Sequence, residues 1–84
     1  MIVYWYHDGK VGEMEILSLS RLTSFDSPIP INSQLYVPKP VDKWGTADSL
    51  NRWYQVNARN RLVPVPIGVC AELRAALLLM GISP

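Results

Sequence analysis

Apolar positions follow two different patterns at the two ends of this chain. Met1 to His7 is rich in Val, Ile, Tyr and Trp, and a second strand starts at Lys10, with polar and apolar residues alternating from Glu13 to Ile16. Both read as strands. Asp8-Gly9 between them is the signal for a two-residue type I′ turn. With that loop, His7 faces Lys10, Tyr6 faces Val11, Trp5 faces Gly12, Tyr4 faces Glu13 and Val3 faces Met14. One face of the ribbon then carries Met1, Val3, Trp5, Gly12, Met14 and Ile16, which is the expected core face, with the Trp5 ring over the bare backbone of Gly12. The other face carries Ile2, Tyr4, Tyr6, Val11, Glu13 and Glu15, a mixture suited to solvent or a partner. Past Glu15 the parity breaks, because Leu17 and Leu19 take the positions the glutamates held; a bulge, or a strand passing from open to covered, would do this.

The other end is nearly all apolar. From Val69 to Met80 the only polar side chains are Glu72 and Arg74. Gly81 stands where a C-cap glycine belongs and Pro84 follows, so a helix is expected over 68–80. At about 100° per residue, Val69, Cys70, Leu73, Ala76, Leu77 and Met80 form one broad stripe. Leu78 and Leu79 fall outside it, on the flanks with Arg74 and Glu72. A helix this apolar needs cover on most sides, and a short chain has little to cover it with.

Between the ends, residues 23–33 read as an extended loop and Gln34–Val37 as a short strand. Thr46 to Arg61 reads as a helix: Thr46 as N-cap, Asp48 in the first turn, and Leu50, Trp53, Tyr54 and Ala58 on one face, with Arg52 and Arg59 opposite. Aliphatic residues flank Pro-x-Pro at Pro28–Pro30, Pro38–Pro40 and Pro64–Pro66. Prolines two apart leave one side of an extended chain unable to pair, which suits sheet edges; the functional alternative is a proline-rich ligand for an aromatic groove.

The 84 residues bound one small domain over 1–84 that is marginal on its own. Cys70 is the single cysteine and His7 the single histidine, so neither an internal disulfide nor a structural zinc site is expected. Oligomerisation or docking on a partner is the remaining support. Net charge is +1, unevenly spread: residues 1–42 are net acidic and 43–84 net basic. No basic n-region opens the chain and the apolar run is too short to span a bilayer, so no membrane association and a cytoplasmic location are expected.

No catalytic constellation stands. His7 beside Asp8, with Cys70 elsewhere, invites thiol chemistry, but adjacent strand residues point to opposite faces and Cys70 lies on the apolar stripe. Glu13 and Glu15 share an open ribbon face without a further ligand. The glycines are scattered, with no phosphate loop among them. No cofactor, no metal and no enzymatic activity are expected. Lys43, Trp44, Arg52, Trp53, Tyr54, Arg59 and Arg61 interleave basic and aromatic residues in the manner of single-strand binders, although a helix would bury Trp53 and Tyr54 away from the arginines.

The expected fold is α+β: the hairpin, extended by Gln34–Val37 to a three-stranded antiparallel sheet, with two C-terminal helices packed on its Trp5 face. The expected function is a non-catalytic protein-interaction module, self-associating or bound to another protein through Tyr4 and Tyr6 on the ribbon or Leu78 and Leu79 on the last helix. By analogy of size and lack of motifs alone, that is the profile of phage or mobile-element accessory proteins, which inhibit a host protein or assist assembly. The alternative is a small nucleic-acid-binding module using Lys43, Arg52, Arg59 and Arg61 on the basic face of the 46–61 helix.

Overall fold

The computed structural model describes residues 2–15, 29–38 and 52–83. Among them the chain forms β1 (Ile2–His7), β2 (Lys10–Glu15), β3 (Gln34–Tyr36), β4 (Trp53–Val56) and β5 (Leu62–Pro64), followed by a 3-10 turn (Ile67–Cys70) that runs into α1 (Ala71–Leu79). The strands make one sheet in the order β2-β1-β3-β4-β5, with every neighbour antiparallel.

The hairpin has the register its sequence implies, from His7 opposite Lys10 to Val3 opposite Met14. Asp8 and Gly9 both take positive φ, 50° and 78°, as a type I′ turn requires. Trp5 lies against Gly12 so closely that a Cβ there would sit 2.5 Å from Trp5 Cε2. Gly12 is therefore held by contact with a ring, whereas Gly9 is held by its backbone angle.

The described part of the second expected helix, residues 52–61, is not helical: it is β4 and the turn that leads to β5. Trp-Tyr-Gln-Val is aromatic and β-branched, which favours a pleated surface, and Asn57 and Asn60 supply the turn. Asn57 Oδ1 accepts hydrogen bonds from the backbone N–H groups of Arg59 (2.9 Å) and Arg61 (3.0 Å), and Asn60 takes the left-handed φ of 60°. Residues 46–51 lie outside the described residues, as do Met1, Ile16, Leu17, Leu19, Lys43, Trp44 and Pro84.

Both faces of the sheet are packed, so adjacent residues of β4 are both buried although they point in opposite directions. Val3, Ile29, Leu35, Val37, Tyr54, Val56 and Leu62 cluster on one side, with Trp5 and Met14 against them. Tyr36, Trp53, Cys70, Leu73 and Leu77 cluster on the other, with Tyr4, Tyr6, Val65 and Ile82. The helix thus covers the Tyr4/Tyr6 face, not the Trp5 face, and among the described residues one helix packs on five strands, where two helices on three strands were expected. The reason is the row Tyr4–Tyr36–Trp53, paired across three strands. It presents a broad aromatic floor, and its Tyr36 and Trp53 rings lie 4.5 Å apart at 40°.

Among the described residues β2 and β5 end the sheet, and they differ. β5 carries Pro64, with Pro66 just beyond, in keeping with prolines that block an edge. β2 carries the exposed Glu13 and Glu15, charges that oppose edge-to-edge pairing.

Candidate interaction surface

The last helix is fastened at both ends and along one side. Its N-cap residue, Cys70, makes no side-chain capping bond. Gln34 of β3 caps it from across the fold: Oε1 accepts from the backbone N–H of Leu73 at 3.0 Å, and Nε2 donates to Glu72 Oε2 at 2.7 Å. One amide therefore satisfies an orphan helix donor and anchors a carboxylate in the turn where the helix dipole favours it. That bond from Gln34 holds the Glu72 carboxyl below its usual range. At the other end Gly81 takes φ 79° and donates its N–H to Leu78 O, while the Ile82 N–H reaches Leu77 O at 2.9 Å. This is a Schellman cap, and Ile82 packs in the same cluster as Leu77, as that motif favours.

Cys70, Leu73 and Leu77 are fully buried, at the i, i+3, i+7 spacing of one helix face. The expected stripe is narrower than its wheel implied, since Val69 and Met80 are exposed. The Cys70 thiol sits over the sheet, 3.9 Å from Tyr54 O. Burial, reinforced by the Glu72 carboxylate, pushes its pKa up to about 11. Such a thiol is a core residue with little thiolate to offer as nucleophile or ligand. His7 has the strand parity of Val3 and Trp5, so it belongs to the opposite side of the sheet from Cys70.

The outward face of α1 is different in kind. Ala71, Ala75, Leu78 and Leu79 are all exposed, and at about 100° per residue they share the side away from Leu73 and Leu77. Leu79 is 91% exposed and Leu78 57%. Glu72 and Arg74 flank this face on its two sides. The apolar centre of the outward face, where an ordinary surface helix is polar, is the feature that sets this molecule apart.

The four residues expected to mediate protein contact thus separate. Leu78 and Leu79 stand open on the helix. Tyr4 and Tyr6 are half-buried, packed against the cluster beneath that same helix. The basic set does not assemble as expected, because the helix that was to align it is replaced by strands. Arg52 precedes β4, whereas Arg59 and Arg61 lie in or beside the β4–β5 turn at its far end; Lys43 lies outside the described residues. Glu13 and Glu15, with Ile2 and Met14, line a shallow hollow of about 190 Å3 at the sheet corner. Among the described residues no three His, Cys, Asp or Glu side chains are grouped to hold a metal, and no helix is long and apolar enough to cross a membrane.

Sequence reasoning missed Gln34 as a cap, since nothing in the chain links it to residues nearly forty positions away. It also missed Ala71 and Ala75 as part of the outward face, which the same wheel that set Leu78 and Leu79 apart could have found. No protein-family model matches this chain, and neither do any of the curated proteins or solved structures compared with it.

Proposed function

We propose that this chain is a non-catalytic protein-interaction module whose contact surface is the outward face of α1. The observation that carries the reading is Leu79, 91% exposed beside Leu78 on a helix whose inward face is already satisfied by the sheet. Neither leucine contributes much to holding the fold, yet each adds to the apolar surface left in water. Full burial of one such side chain is worth about 1.5–3 kcal/mol, which a partner surface can recover. The capping by Gln34 and the Schellman turn hold the helix rigid, so docking it costs little ordering entropy. An accessory role, inhibiting a host protein or assisting assembly, is compatible with a surface of this size and chemistry.

The test compares the wild-type chain with Leu79→Asp and Leu78→Asp as bait for a stoichiometric partner, self-association included. Both variants should unfold at the wild-type temperature, because the side chains they replace contribute little to the core. They should lose the bound chain that the wild type retains. Retention of the same chain by both variants would place the contact elsewhere and end the proposal.

A further inference from the structure

We draw no further inference here: the strongest candidate, the apolar outward face of α1 around Leu78 and Leu79, is the surface already described, and nothing in the structure shows what covers it.

Discussion

Replacing Gln34 by Ala should loosen α1 from the sheet without touching its apolar contacts. The substitution removes two bonds: the one Gln34 Oε1 accepts from the Leu73 N–H, and the one Nε2 donates to Glu72. The first matters more. Leu73 N belongs to the first turn of the helix and has no partner within it, so its loss resembles the loss of an N-cap, about 0.5–2 kcal/mol. Because that site is part-buried, a cost of about 1–2 kcal/mol is expected. For a chain of this size each kcal/mol lowers the melting temperature by about 4–8 °C. Urea unfolding followed by tryptophan fluorescence reads the change, since Trp53 lies in the cluster under the helix.

Acid supplies a second reading of the same contact. Glu72 is exposed, so solvent screens its contribution. Its carboxyl is held below the usual range, first by the Gln34 bond. A carboxyl depressed in the folded state contributes stability above its unfolded pKa, and that contribution is lost as pH falls through the folded value. The wild type should therefore lose more stability than Gln34→Ala below about pH 4.5, and the gap between them should narrow. Gln34→Glu keeps an acceptor for Leu73 but sets a second carboxylate beside Glu72. It should be less stable than wild type at neutral pH and recover part of the loss in acid. A Gln34→Ala variant within about 0.3 kcal/mol of wild type at pH 7, or a gap that widens on acidification, would refute the clamp.

Three other substitutions or labels probe the two cores. Gly12→Ala drives a methyl into the Trp5 ring and should cost about 1–3 kcal/mol in a denaturant titration, most of it relieved when Trp5→Leu is added. A loss that is the same in both backgrounds would show that the ring contact is not its cause. Ser33 is fully buried and its hydroxyl has no partner among the described residues, so Ser33→Ala should be neutral or should stabilise by about 1 kcal/mol. A clear destabilisation would mean the hydroxyl is satisfied. Cys70, buried and with a pKa near 11, should react with a thiol reagent at pH 8 only through opening of the fold. Its labelling should accelerate in Gln34→Ala in proportion to the lost stability, and labelling at the rate of an exposed thiol would contradict its place beneath α1.

Local chemistry explains which parts of this fold the chain discloses. The hairpin was legible because Asp8-Gly9 specifies both turn and register, and the last helix because Gly81 marks its stop. The 46–61 segment misled because a strand covered on both faces reads as a short apolar run. Leu50, Trp53, Tyr54 and Ala58 fit a helical period by the same spacing that puts Trp53 and Tyr54 on opposite sides of β4. Asn57 and Asn60 were the contrary signal, a turn pair within sixteen residues of supposed helix. The side on which the helix docks was hidden for another reason. Tyr4 and Tyr6 look like surface residues beside Glu13 and Glu15, and only pairing with Tyr36 and Trp53 turns them into a floor for α1. Leu78 and Leu79 could be singled out because their exposure follows from the wheel alone, whereas Gln34 depends on a contact across the whole fold.

The measurement that bears most directly on all of this is the paramagnetic relaxation of leucine methyl groups by a soluble probe, in dilute solution where each chain is alone. The Leu79 methyls should relax like those of a leucine in open water, with Leu78 next, while Leu73 and Leu77 remain shielded. If Leu78 and Leu79 are as protected as Leu73 and Leu77, the chain covers its own helix and has no docking face to offer.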